Sequence, residues 1–237
     1  MIALSLAVFL PAEEAYAWHD ETHLAVAKAA GYFKWYNAAG ADMAKIKAGK
    51  VEQNNHYCNE AGNGPVTPAA VMSQVSRYDS AEDSKGHLYG AIIAALRNYR
   101  ESVAAGKYPQ YHLAFAIHYL ADLSQPLHNM PFDDFNRLRH GANDGIVESE
   151  ALSDISLLET HMYPIALDPE HFEESLAKEI ARIANLSLSL GLALRSERRN
   201  LTRQEAHIQL GHSASLVRAV LGALEKTGPN DPARERP

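Results

Sequence analysis

Apolar residues recur at intervals of three and four through most of this chain, and runs that alternate apolar with polar between turn residues are missing. The pattern fills THLAVAKAAGYF, GHLYGAIIAALRNYRESVAAG, PQYHLAFAIHYLADL, DGIVESEALSDISLLETHMY, EESLAKEIARIANLSLSLGLALR and RQEAHIQLGHSASLVRAVLGALEK. Such spacing gathers apolar side chains on one face of a helix, whereas a half-buried strand needs strict alternation. An all-α, single-domain helical bundle is therefore expected, punctuated by Gly, Asn and Pro at 62–68, 125–143 and 163–169. The 237 residues, 46% of them hydrophobic, suffice for one substantial core. Cys58 is the only cysteine, so no internal disulfide can staple the bundle. Packing or bound metal must hold it.

The third of these stretches runs into HYLADLSQPLH, residues 118–128, which sets His118, Asp122 and His128 in apolar surroundings. His118 and Asp122 are four apart and share a helix face, and Pro126 should end that helix and turn His128 back toward the same space. His140 and Asp144 repeat the four-residue interval at the start of the next expected helix. Upstream, Asp42 and His56 flank MAKIKAGKVEQNN, and His23 opens the first helical run. One satisfied histidine in a core needs no function. Five histidines and three carboxylates, however, exceed the needs of one tetrahedral ion, and imidazole with carboxylate is a donor set that zinc accepts. Bound cations would also offset the several kcal/mol that each buried, unpaired carboxylate costs.

These residues resemble the zinc-dependent phospholipase C and single-strand-specific nuclease superfamily. The likeness rests on His118-x-x-x-Asp122-x-x-x-x-x-His128, the His140-x-x-x-Asp144 pair, and Trp18 followed by His23. It implies a helical fold with three Zn2+ ions at the bottom of a cleft. By the resemblance, Asp42, His56, His118 and Asp122 hold one ion, and His128, His140 and Asp144 a second. The amino group and carbonyl of Trp18, with His23 and a bridging Asp122, hold the third. Glu148 rivals Asp144 as the acid near His140, although eight residues separate it from that histidine. Asp42 would in addition serve as general base toward an attacking water. Di-iron carboxylate bundles need Glu-x-x-His pairs, which this chain lacks, and the His19-Asp20 dipeptide is the weak trace of an HD-type phosphohydrolase. His87, and the aromatic side chains of Tyr57, Phe132 and Phe135, stand close to proposed ligands.

The opening MIALSLAVFLPAEEAYAW combines an apolar run with Ala15-Tyr16-Ala17, the small-x-small pattern of a signal-peptidase site, though no Lys or Arg precedes the run. Residues 1–17 are expected to be a signal peptide, 18–226 the catalytic domain and 227–237 a disordered tail, in a secreted or periplasmic protein. Cleavage before Trp18 would create the free amino nitrogen that the third site requires. It would also remove Glu13 and Glu14, leaving 22 positive and 27 negative side chains, a net charge of −5. Bulk attraction to a polyanionic strand is not expected of such a surface. The single cysteine and the twelve-residue interval from His128 to His140 favour the bacterial phospholipase C side. A phosphodiesterase acting on phospholipid is the first expectation. A single-strand-specific nuclease and a non-enzymatic, metal-stabilised helical protein are the alternatives. Helices continue almost to the end of the sequence where some toxins carry a membrane-binding β-sandwich, so only transient membrane-surface contact is expected.

Overall fold

The computed structural model describes residues 18–60 and 64–227, and the expected signal peptide and all but the first residue of the expected tail lie outside them. Every element of regular structure among the described residues is helical. In chain order these are α1 (Asp20–Ala29), α2 (Gly40–Ala48), α3 (Lys50–Gln53), α4 (Pro68–Gln74), α5 (Leu88–Ala104) and α6 (Gln110–Asp122). They are followed by a short 3-10 turn (Pro126–Asn129), α7 (Asp134–Asp144), α8 (Glu148–Ala151), α9 (Ile155–Glu159), α10 (Phe172–Glu197) and α11 (Arg203–Thr227). No helix among the described residues is long and apolar enough to cross a membrane.

Helices α5 and α6 pack against each other most extensively, and α10 and α11 flank them. Ile92, Leu96, Ile117 and Leu120 of the central pair are fully buried with Leu176, Ile180 and Leu210 of the flanking helices, in one continuous core. Two glycines let backbones approach. A Cβ on Gly90 of α5 would stand 2.2 Å from the Gln74 carbonyl carbon of α4. One on Gly191 of α10 would meet the Met130 side chain and the Pro126 carbonyl oxygen, so this glycine lets α10 close over the turn that carries His128.

Pro126 ends α6 as its missing N–H dictates. Ser213 Oγ of α11 donates to the Leu120 and Ala121 carbonyls at that end, at 2.6 and 3.2 Å. The Gln125 side chain accepts the Leu127 N–H and caps the 3-10 turn.

Three expectations change. Residues 125–143, read as punctuation, contain α7, whose Asp133 cap accepts the Asn136 N–H at 3.0 Å. His140 and Asp144 therefore sit in the last turns of a helix, not at its start. DGIVESEALSDISLLETHMY is not one helix but α8 and α9, because Asp154 turns its side chain onto the Leu157 N–H and starts a new one. The last helix runs through Thr227, one residue into the expected tail.

Gly90→Ala should lower the melting temperature. Helix propensity favours alanine by about 1 kcal/mol, but the added methyl meets backbone that cannot swing aside, and overpacking costs about 1–3 kcal/mol or more. A thermal melt equal to or above that of the parent would contradict the close approach.

Candidate metal centre

Helix α6 supplies the middle of the site. His118 and Asp122 lie one turn apart on it and both are fully buried. His23 in the first turns of α1, Asp42 in the first turn of α2, and His56 just beyond α3 come in from one side. From the other side come His128 in the 3-10 turn and the His140-Asp144 pair of α7. All eight residues face common space, in three groups that could hold metal ions: His23, His118 and Asp122; Asp42, His56 and His118; His128, His140 and Asp144.

The spacing within the cluster is close to a coordination shell. Five of the six edges joining His56 Nδ1, His118 Nε2, Asp42 Oδ1 and Asp122 Oδ2 run from 2.9 to 3.7 Å. Four donors placed about 2.0–2.2 Å from one tetrahedral ion stand about 3.3–3.6 Å apart. The second oxygen of Asp122, Oδ1, lies 3.1 Å from His23 Nε2 and 3.6 Å from His128 Nδ1. One carboxylate thus presents an oxygen to each of two neighbouring positions. In the third group His140 Nε2 is 3.4 Å from Asp144 Oδ2, and the His128 and His140 rings stack with centroids 5.0 Å apart.

The backs of the histidines decide which nitrogen carries a proton. His118 Nδ1 donates to the Ala38 carbonyl at 2.7 Å, and His23 Nδ1 to the His19 carbonyl at 3.1 Å. His56 Nε2 donates to Glu52 Oε1 at 3.2 Å, and His140 Nδ1 to Asn136 Oδ1 at 2.6 Å. The Asn136 orientation is fixed in turn, since its Nδ2 donates to the Leu127 and Pro131 carbonyls. An oxygen acceptor behind the ring requires N–H there, so the neutral imidazole turns its lone pair inward. His56 Nδ1 and His118 Nε2, only 3.1 Å apart, then face each other as two lone pairs beside two carboxylates. Such a set is stable only with a cation among its members. His128 Nδ1 and Asp144 Oδ2 are buried with no hydrogen-bond partner among the described residues, which is costly unless an ion takes them up.

Without metal, the cations are the Lys45 ammonium at Asp42 Oδ1 and a proton. Burial opposes a charge on His118, but the Asp42 and Asp122 carboxylates beside it outweigh burial and hold its pKa up to about 10. Burial likewise pushes Asp42 and Asp122 upward, and His118 with the neighbouring histidines overcomes it, leaving both carboxylates well below the usual range. The third group behaves oppositely. Burial drives His128 down to about 4 despite the nearby Asp122, and it drives Asp144 well above the ordinary carboxylate value although Gln125 Nε2 donates to it.

The remaining sequence-level residues sort clearly. Glu148 is not a ligand. Its carboxylate accepts the backbone N–H of Glu21 at 2.7 Å and of Thr22 at 3.0 Å, capping α1, which has no side-chain cap of its own. Trp18 is fully buried, and its indole Nε1 has no hydrogen-bond partner among the described residues. The cleavage that would free its amino nitrogen falls outside them. His87 stays out of the cluster, bonded to Asp83 Oδ2 at 3.0 Å and Asn55 Oδ1 at 2.8 Å. Tyr57 bonds Asn54, Phe135 packs against the core, and Phe132 stands edge-on to His140, 6.1 Å between centroids.

Four supporting residues went unread in the sequence: Glu52, Asn136, Gln125 and Lys45. Glu52 precedes His56 by four residues and Asn136 precedes His140 by four, an interval that could have flagged both. Gln125, which caps the turn bearing His128 and also holds Asp144, carries no such signal. Lys45 follows Asp42 by one turn and sets its Nζ against Asp42 Oδ1.

Comparison with known proteins finds no family model, no curated protein and no solved structure that matches the chain.

Two measurements check this geometry. Glu52→Gln removes the charge behind His56 and should weaken metal binding by about 10–100-fold in a chelator competition, the usual scale for such an outer partner, while an unchanged affinity would deny Glu52 that role. The chelator-treated protein should also lose stability as pH rises. His118 binds its proton more tightly folded (about 10) than unfolded (about 6.5), so its contribution is complete below about 6.5 and lost as pH climbs through about 10. The melting temperature of the metal-free form should fall across that window, and that of the loaded form should fall less.

Proposed function

We propose that this protein is a zinc-dependent phosphodiester hydrolase of the phospholipase C and nuclease type, acting on phospholipid, with three Zn2+ ions held by the clustered histidines and aspartates. The observation that carries the reading is the convergence of inward-facing imidazole lone pairs with Asp42 and a two-sided Asp122, at tetrahedral spacing. The resemblance of His118-x-x-x-Asp122-x-x-x-x-x-His128 and His140-x-x-x-Asp144 to that superfamily supports it. On this reading His56, His118, Asp42 and Asp122 take one ion and His128, His140 and Asp144 another. His23, Asp122 and the freed amino terminus of Trp18 take the third.

Divalent ions held there supply Lewis-acid chemistry, which polarises phosphate oxygens and makes a water nucleophilic near neutral pH. The chain's own groups do the rest. Asp42 is the most solvent-accessible ligand carboxylate, with its side chain 17% exposed against 0% for Asp122 and Asp144. It can accept the proton of a water that attacks phosphorus as the ester oxygen departs. Lys45, held at Asp42, adds an ammonium that can offset charge on a phosphate brought to that carboxylate. Asp42 is the cluster carboxylate that solvent reaches, and a substrate phosphate would approach from its side.

A net charge of −7 over the whole chain favours a lipid head group over a polyanionic strand. The zinc-loaded protein, tested on a soluble choline-phosphate ester and on single-stranded DNA with a chelator control, should hydrolyse the ester and lose that activity on chelation. Preference for DNA would move the assignment to the nuclease branch, and no turnover at full metal occupancy would leave a structural metal protein. Asp42→Asn should cut kcat by about 10²–10⁴-fold, the range of a lost general base, with metal content measured alongside. His118→Ala that loses its metal yet retains parental turnover would overturn the scheme.

A further inference from the structure

Helix α2 leads from the cluster out to solvent. Asp42 turns toward the cluster, whereas Met43 and Ile46 stand 67% and 86% exposed, and Val51 in α3 is exposed as well. Ile46 follows Asp42 by four residues, so it stands one turn beyond that carboxylate on the same side of α2, where the helix has left the cluster for solvent. Beside the third metal group, Phe132 is 41% exposed with its ring edge-on to His140. Met43, Ile46 and Val51, three large apolar side chains exposed within nine residues of two packed helices, are more than scattered surface residues.

The charges on this rim run against those of the molecule. Residues 40–51 carry Lys45, Lys47 and Lys50, and Asp42 as their single acid, within a chain of net charge −7. Lys47 and Lys50 are exposed beside Met43, Ile46 and Val51. Apolar side chains flanked by lysines form the pattern that lies in a lipid interface, the apolar groups entering the acyl region while the ammonium groups reach the phosphates. A symmetric pairing with a second copy would set lysines against lysines, and an anionic lipid surface does the reverse.

From this we infer that the exposed side of α2 and α3 is an interfacial docking rim that seats the protein on an anionic phospholipid surface, next to the Asp42 edge of the metal centre. The inference rests on the phospholipid hydrolase reading and adds how an acidic protein reaches an aggregated substrate. Asp42 is at once the edge of the rim and a ligand, so a head group lifted from the surface meets the site within one helical turn.

The test uses the full zinc-loaded protein and vesicles of equal parts phosphatidylcholine and phosphatidylglycerol. The double variant Met43→Ser, Ile46→Asp should reduce vesicle partitioning at least about tenfold, since two apolar side chains no longer enter the interface. It should keep hydrolysis of a soluble choline-phosphate ester and the parental melt, because both residues are exposed and neither touches the cluster. Lys47→Ala and Lys50→Ala should each weaken partitioning about fivefold, the worth of one cation beside an anionic leaflet, and less in high salt. Variants that partition like the parent while the ester is still cleaved would overturn the docking rim and leave the hydrolase standing. A change in oligomeric state in the double variant would assign the face to a second copy and overturn the lipid assignment. Loss of partitioning in the variants of a parent that cleaves no phosphodiester would keep the rim and overturn the hydrolase.

Discussion

Two imidazole nitrogens whose lone pairs point at each other across 3.1 Å, beside two carboxylates, are the constraint around which this bundle is arranged. Neither a dry core nor a network of neutral hydrogen bonds satisfies that set, because every member is an acceptor on its inward side. Positive charge is required among them, which Lys45 supplies at Asp42 and a bound metal ion could supply at the rest. Helix α6 fixes His118 and Asp122 in one stripe. The break at Pro126 brings His128 back within 3.6 Å of Asp122, and Gly191 lets α10 close over that turn.

The outer partners are as informative as the ligands. Ala38, His19, Glu52 and Asn136 each place an oxygen behind one histidine, and four different segments are involved. That distribution ties the tautomers of four of the five rings to the packing around them. Glu52 is additionally held by the Tyr119 hydroxyl at 2.5 Å, so the tyrosine next to His118 on α6 supports the carboxylate behind His56. The cluster is therefore cross-braced, and a change behind one ring reaches a neighbour through a chain of short polar contacts.

Much of this was legible in the sequence for a physical reason. Helical periodicity is a local property, so α1, α5, α6, α10 and α11 could be read from apolar spacing alone. The four-residue intervals of His118-Asp122 and His140-Asp144 survive because a helix converts sequence distance directly into space. Helix α7 was missed because its residues are mostly polar, and its start depends on the Asp133 side chain rather than on an apolar stripe. Glu148 was open as a ligand because sequence shows an acid near His140 but not the uncapped N-terminus of α1 that claims it. The carbonyls of Ala38 and His19 were out of reach altogether, since a backbone acceptor leaves no residue type to recognise.

Helix α2 is where these threads meet. Of its nine residues only Ala41 is buried. A helix that short, with so little apolar burial, is marginal by itself, and it holds its position through contacts with α6 and α3 and through Asp42 in the cluster. The repulsion among acceptors that a cation relieves is thus felt first at Asp42, the least enclosed ligand on the least embedded helix. An ion bound by His56 and His118 would also fix the carboxylate from which that helix hangs, so that loading the centre and settling α2 would be one equilibrium.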